Sequence, residues 1–208
     1  MLELYLIRHG QTDWNLERRV MGKQPIGLNE TGRAQVQDLA LALQDLQLDQ
    51  LFSSPLQRAQ ESAGILNQDR GLTPSLHEAL REIEYGIWVG KTFEEVRSST
   101  DFIDPYANPH LPVCAEGESL QQVRDRAIAF VEELRQKEDN ARIMLVSHAD
   151  WIKTVILHYL DLPLSKIRQL RIDNASMTYL TFESKQARVL TVNHNPNFAR
   201  LFLNRPSF

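Results

Sequence analysis

The sequence predicts an α/β domain built on a largely parallel, buried sheet, and three observations carry the prediction. Two apolar runs, LELYLI near the N-terminus and RIMLVS at Arg142 to Ser147, are continuous rather than alternating, as strands buried on both faces are. Segments with helical apolar spacing alternate with the candidate strands, which is the pattern of crossover connections. Both apolar runs also lead into a histidine, His9 and His148. Ligands of such sheets bind beyond the carboxyl ends of the strands, so the two imidazoles are expected at one rim.

Each element has its own signature. LELYLI stops at Arg8-His9-Gly10, where a cation and an imidazole stand at the end of an interior strand and ask for partners. Asn29 to Leu46 reads as a helix, with Ala34, Leu39, Ala42, Leu43 and Leu46 near helical spacing. Gln50 to Ser53 is a short strand. Ser54 then reads as an N-cap, with Pro55 at the first helical position and Gln57 completing a capping box. Thr73 to Leu76 is a further candidate strand, and Thr92-Phe93-Glu94-Glu95 is a capping box on a short helix. The stretch Asp101 to Gly117 holds Pro105, Pro109 and Pro112. Its Phe102, Ile103, Tyr106, Leu111 and Val113 fit a packed excursion better than a tether. Ser119 to Lys137 is the clearest helix, capped by Ser119 and Gln122 and striped by Leu120, Val123, Ala127, Phe130, Val131 and Leu134. After RIMLVS and His148, Trp151 to Leu160 continues as a helix. Strands near Ser176–Glu183 and Arg188–Asn193 fit an antiparallel hairpin around Glu183-Ser184-Lys185-Gln186.

The bulk properties narrow the function classes. A chain of 208 residues holds one full hydrophobic core, and without a linker the expected organisation is one domain over 1–208. The net charge of −4 gives no general attraction to nucleic acid. Cys114 is the sole cysteine, so no intrachain disulfide can form, which fits a reducing, cytoplasmic setting. Glu3 and Arg8 break the first apolar run too early for a signal peptide, and no run approaches the ~18–20 residues of a membrane span. Neither a nucleic-acid nor a membrane partner is expected.

The chemistry concentrates in five residues. Arg8 and His9 end the first strand, and Arg58 lies in the first turn of the helix after Ser54-Pro55. Glu82 sits in the loop LREIEYGIWVG, and His148 follows the second apolar strand. An arginine in a first turn opposes the helix dipole unless an anion is near. Taken together, two guanidiniums, two imidazoles and a helix N-terminus form a cage for a phosphoryl dianion. A histidine inside it can attack phosphorus, and Glu82 can protonate the leaving alkoxide. No H-E-x-x-H or close His/Cys spacing exists, and cationic neighbours repel a metal ion, so neither a metal nor a cofactor is expected. Of the other histidines, His77 and His110 read as exposed loop residues and His158 as packing or surface. His194, in TVNHNPNF, is a candidate substrate contact. Trp88 and Trp151 read as core.

These residues resemble the histidine phosphatase superfamily, the phosphoglycerate-mutase-like proteins. The matches run in order along nearly the whole chain: Arg8-His9-Gly10-x-Thr12-x-Trp14-Asn15, Ser53-Ser54-Pro55-x-x-Arg58-Ala59, Leu80-Arg81-Glu82 with Gly86-x-Trp88-x-Gly90, Gly117-Glu118-Ser119, and Val146-Ser147-His148. The resemblance implies a three-layer α/β/α sandwich and a phosphohistidine on His9. Arg8, Asn15, Arg58 and His148 would hold the phosphoryl oxygens, and Glu82 would be proton donor and then base. Val89, Ala149 and Met21 stand where the family often has Glu, Gly and Gln. The mutases of the superfamily carry an extra segment where this chain has only Ala59 to Arg81, which favours water as the acceptor. The Asp173-Asn174-Ala175-Ser176 stretch, and later Asn193-His194 with Phe198, resemble metal-independent phosphoserine phosphatases. The expected ligand is therefore a small phosphorylated metabolite, L-phosphoserine first. Tyr85 would cover its methylene, and His194, Asn195 and Asn197 would read its polar groups. Broad-specificity, α-ribazole and phosphoglycerate mutase activities stay open, as do a non-catalytic phosphate-binding role and a homodimer.

Overall fold

The computed structural model describes residues 1–196 apart from 101, 103, 184 and 185. It contains a six-stranded sheet of order β3-β2-β4-β1-β5-β6. The strands are β1 (Leu2–Arg8), β2 (Gln50–Ser53), β3 (Ser75–Leu76), β4 (Arg142–Ser147), β5 (Met177–Glu183) and β6 (Gln186–His194). β1, β2, β3 and β4 pair in parallel, while β5 and β6 add an antiparallel edge. The helices are α1 (Asp13–Leu16), α2 (Glu30–Ala42), α3 (Gln57–Leu66), α4 (Phe93–Arg97), α5 (Leu120–Lys137) and α6 (Ala149–Tyr159).

Strand alternation divides the core into two faces. Leu4 and Leu6 of β1, with Ile143 and Leu145 of β4, face a cluster with α5 and α6 residues such as Val123, Phe130, Trp151 and Ile152. Tyr5, Ile7, Met144 and Val146 point the other way, into Val36 and Leu39 of α2 and Ala59, Ala63 and Leu66 of α3. Helices on both faces of one sheet give the expected three-layer sandwich. Both faces of β1 and β4 are dry, which explains why their sequences are continuous apolar runs. Each Leu or Ile taken out of water contributes about 1.5–3 kcal/mol to this core.

Several boundaries differ from the sequence reading. α2 ends at Ala42 rather than Leu46, yet Leu43 and Leu46 still pack on the second cluster from non-helical backbone, so their spacing is kept without a helix. Ser54 does not cap α3. The N-cap is Leu56, with no side-chain cap, because the Ser54 hydroxyl is used by the Leu56 N–H (3.3 Å) and stands 2.9 Å from His148 Nε2. β3 is only two residues long. α6 begins at Ala149, directly after the extended backbone of His148, two residues earlier than read. His77 is not a loose loop residue: its ring stacks on Phe130 at 4.0 Å and its Nδ1 accepts from the Ala79 N–H. The capping boxes at Thr92 and Ser119 form as read. In the proline-rich excursion, Val113 is fully buried and Phe102 and Tyr106 pack against the core, while Ile103 lies outside the described residues. No described helix is long and apolar enough to cross a membrane.

Candidate active site

The parallel pairing of β1 with β4 sets Arg8 opposite Ser147, so His9 and His148 leave the sheet side by side. The His9 N–H donates to the Ser147 carbonyl (3.1 Å), and the two imidazole centroids are 5.1 Å apart. The backbone then turns tightly at Gly10, where a Cβ would lie 2.5 Å from the Gly32 carbonyl oxygen at the start of α2. No larger residue fits that approach.

His9 is 2 % exposed. Its Nδ1 is 2.7 Å from the Gly10 carbonyl, which can only accept, so Nδ1 carries the hydrogen and Nε2 keeps its lone pair. Burial pushes His9 well below the usual imidazole range, and the Arg58 and Arg8 charges push it further. His148 is fully buried and lowered for the same first reason, followed by Arg58 and His9. Both rings are therefore neutral.

Arg58 comes from the first turn of α3, 1 % exposed, with Nη2 donating to the Gly22 carbonyl (3.1 Å). Arg8 donates from Nη1 to the Ile172 carbonyl (2.7 Å). The Nε of Arg8 and the Nε and Nη1 of Arg58 are buried with no hydrogen-bond partner among the described residues. Burial lowers the Arg58 guanidinium to about 10, against the pull of Glu82. Buried, unpaired donors of this kind are what a phosphoryl oxygen would satisfy.

Glu82 is carried on a loop whose carbonyls from Ala79 to Glu82 are all hydrogen-bonded. Arg126 of α5 donates to Ala79 (2.7 Å), Arg81 (2.7 Å) and Glu82 (3.1 Å) and pairs with Glu118 (3.1 Å). Glu118 in turn accepts from the Glu84 N–H, and the Trp151 indole and Ser147 hydroxyl bond the Ala79 and Leu80 carbonyls. The Glu82 carboxyl is raised to about 7. Burial is the first cause and the charge of Asp150 the second, opposed by the Ile83 N–H, Arg58 and Arg8.

Arg8, His9, Asn15, Arg58, Glu82 and Tyr85 line one cavity of about 590 Å³. His148, fully buried with its ring edge-on to that of His9, does not line this cavity. Asn15 is fixed by the capping box of α1, its Oδ1 accepting from Thr12 and from Asn174, while its Nδ2 has no hydrogen-bond partner among the described residues. The Tyr85 hydroxyl donates to Asp150 (3.4 Å), so only its ring is left for a ligand. His194 ends β6, the outer strand, pairs with Met177 and is exposed; it does not itself line the cavity, although its neighbour Asn193 bonds Asp173, which does. Asn195 is buried and bonds the Asn174 carbonyl, and Asn197 and Phe198 lie outside the described residues. Trp88 is buried as read, but it lines the cavity as well, whereas Trp151 is core.

The sequence reading missed Asn174 as a site residue, together with Asp150 and Arg126. Asn174 Nδ2 donates to the His9 carbonyl (3.1 Å) and Asn15 (3.3 Å), bracing the rim from the turn before β5. Only the polar run Asp173 to Ser176 hinted at it. Asp150 and Arg126 have no local signal, since both sit on helices with otherwise ordinary patterns. Among the described residues no cluster of three or more His, Cys, Asp and Glu is placed to hold a metal ion.

The family model described as "Histidine phosphatase superfamily (branch 1)" matches residues 4–195. The chain is 32% identical over 195 residues to phosphoserine phosphatase 1 of Hydrogenobacter thermophilus, covering 93% of this chain and 92% of that protein. It is 31% identical over 188 residues to a probable phosphoglycerate mutase, GpmB, of Shigella boydii, covering 88% and 86%. Among solved structures it is similar to a mutant phosphoserine phosphatase of Entamoeba histolytica in complex with phosphoserine. There the TM-score is 0.83 at 29% identity, covering 93% of this chain and 97% of that one.

Proposed function

Since the chain belongs to the histidine phosphatase superfamily, we propose that it hydrolyses small phosphomonoesters through a phosphohistidine on His9, without a metal. The observation that carries the reading is the state of His9. It is neutral, with the hydrogen fixed on Nδ1 and the Nε2 lone pair exposed to a cavity that also holds Arg8, Arg58 and Glu82. In the first step Nε2 forms a bond to phosphorus while the ester P–O bond breaks, and Glu82 gives its proton to the leaving oxygen. The unpaired donors of Arg8 and Arg58, with Asn15 Nδ2, take the charge on the phosphoryl oxygens. In the second step the Glu82 carboxylate removes a proton from water as its oxygen attacks phosphorus, and the P–N bond breaks. Neither step leaves work for a metal.

L-Phosphoserine is the leading substrate. The relative from H. thermophilus bears that activity in its name, and the E. histolytica protein was solved with phosphoserine bound. The GpmB resemblance supports a second reading, a phosphoglycerate mutase. One experiment addresses both. Phosphoserine, phosphothreonine, 3-phosphoglycerate and p-nitrophenyl phosphate are compared by kcat/KM with and without chelator, and 3-phosphoglycerate is also tested with added 2,3-bisphosphoglycerate. Phosphoserine is expected to lead 3-phosphoglycerate and p-nitrophenyl phosphate by at least ~10-fold, or ~1.4 kcal/mol. The chelator is expected to leave the rate unchanged. Labelled substrate should leave an acid-labile, base-stable phosphoenzyme in the wild type and none in His9→Ala. Turnover of His9→Ala near the wild-type rate rejects the mechanism, and a flat profile rejects phosphoserine.

A further inference from the structure

Asp150 is an acid where the chemistry above gives it no place. It lines the same cavity as Arg8, His9 and Arg58, where a carboxylate repels the phosphoryl group they attract. It is also 5 % exposed, so its burial must be offset by partners. Those partners come from three separate segments. Tyr85 donates its hydroxyl at 3.4 Å from the loop that carries Glu82, and Tyr106 at 3.3 Å from the proline-rich excursion. Lys153 donates at 3.3 Å from one turn further along α6.

Resting on the phosphatase reading, we propose that Asp150 is a positioning residue for proton transfer: pinned by Tyr85, Tyr106 and Lys153, it fixes the Glu82 loop against α6 and keeps the proton on Glu82 until the leaving oxygen arrives. The positional part follows from connectivity. Tyr85 stands three residues after Glu82, and Asp150 two residues after His148 in the first turn of α6. The Tyr85–Asp150 bond therefore ties the proton donor to the helix that follows the second histidine.

The electrostatic part follows from what faces Glu82. Arg8 from β1, Arg58 from α3 and the Ile83 N–H all favour the carboxylate, which has no proton to give. Asp150 from α6 opposes them, together with burial. Arg126 of α5 bonds the backbone carbonyl of Glu82 rather than its carboxyl. His9 and His148 are neutral; burial, then Tyr106 and Asp150, hold the Tyr85 phenol protonated, and Asp150, then burial, hold that of Tyr106. Without Asp150, two guanidiniums would meet burial alone. Lys153 limits the cost of this arrangement by shielding the incoming dianion from Asp150.

The test is the pH dependence of kcat/KM for phosphoserine and p-nitrophenyl phosphate in Asp150→Asn, whose amide still accepts from both tyrosines. For phosphoserine the limb that falls at high pH should move down by about one unit, an about tenfold loss at a pH above the limb. p-Nitrophenyl phosphate, whose phenolate leaves without a proton, should lose far less. Lys153→Met should move the limb the opposite way. Placed in a Glu82→Gln background, Asp150→Asn should shift no limb at all. An unmoved limb, or equal losses on both esters at every pH, overturns the proposal. Should Asp150→Asn fail to fold, Lys153→Met and Tyr106→Phe carry the same test. Absence of turnover in the wild type on either ester would instead reject the phosphatase reading on which the proposal rests.

Discussion

His9 and Glu82 share one cavity, yet burial moves them in opposite directions on the pH scale, and both movements serve the proposed chemistry. Desolvation disfavours whichever form is charged, so it strips the proton from the imidazole and keeps it on the carboxyl. A nucleophile needs the first and a proton donor the second. The pH profile follows with its sign. His9 stays neutral across the working range and contributes no rising limb there. The phosphate of the substrate loses its second proton near pH ~6. Glu82, raised to about 7, loses its proton above that value. For an alkyl phosphate, kcat/KM should therefore peak between these two and fall about tenfold per unit at higher pH. Glu82→Gln should cost phosphoserine hydrolysis ~10²–10⁴-fold and p-nitrophenyl phosphate far less. Equal losses on both esters would assign Glu82 to binding rather than proton transfer.

At the scale of elements, the sheet supplies the nucleophile and α5 aims the acid. β1 and β4 are adjacent and parallel, so their last residues bring the two histidines together without any loop being required to fold precisely. Glu82 lies instead on irregular backbone, and Arg126 compensates by bonding three consecutive-region carbonyls at Ala79, Arg81 and Glu82. Arg126→Met would strand those carbonyls and the Glu118 carboxylate. Breaking a largely buried pair costs up to ~3–5 kcal/mol, and partial exposure here reduces that to about 2–3 kcal/mol. The variant should melt lower by roughly 4–12 °C and lose more activity on phosphoserine than on p-nitrophenyl phosphate, as measured by thermal unfolding and kcat/KM. Even losses on the two esters would show that the clamp supports the fold without aiming Glu82. The same division by element explains what was legible in the sequence. β1, β2, β4, α4 and α5 could be read because apolar runs and capping boxes are local signals. The Ser54 cap was misread because its hydroxyl is taken up by His148, a residue 94 positions away. Asp150, Asn174 and Arg126 were missed for the same reason, since their partners lie 65, 165 and 44 positions away. His194 ends the outer strand, with β5 between its strand and β1, so a link from it to the cavity runs through Asn193 and Asp173, a tertiary contact with no local signal.

For the whole molecule, the site is a place where function opposes stability. An acidic chain of net charge −4 gathers Arg8 and Arg58 at the rim of its sheet, with three of their donor nitrogens buried and without hydrogen-bond partners among the described residues. Burial lowers both guanidiniums against the pull of Glu82, with Arg171 adding to the lowering at Arg8 and Arg8 at Arg58. Such an arrangement costs folding free energy that a bound dianion returns. Inorganic phosphate or vanadate at about a hundredfold excess over Kd should stabilise the fold by ~2.7 kcal/mol. At about 2–4 °C per kcal/mol for a chain of this size, the melting temperature should rise by roughly 5–11 °C. Arg58→Met separates the two roles. It removes the buried charge while keeping most of the volume, and replacing buried charge with apolar packing is often neutral or stabilising by ~1–4 kcal/mol. Its ligand-free melting temperature should therefore match or exceed the wild type. Its anion-induced rise should shrink to a small fraction, and kcat/KM should fall by about 10²–10³-fold, as for loss of one preorganised donor. Thermal unfolding with and without vanadate, alongside kinetics, reads all three quantities. A ligand-free melting temperature several degrees below wild type would show that Arg58 holds the structure together rather than straining it for the sake of the phosphoryl group.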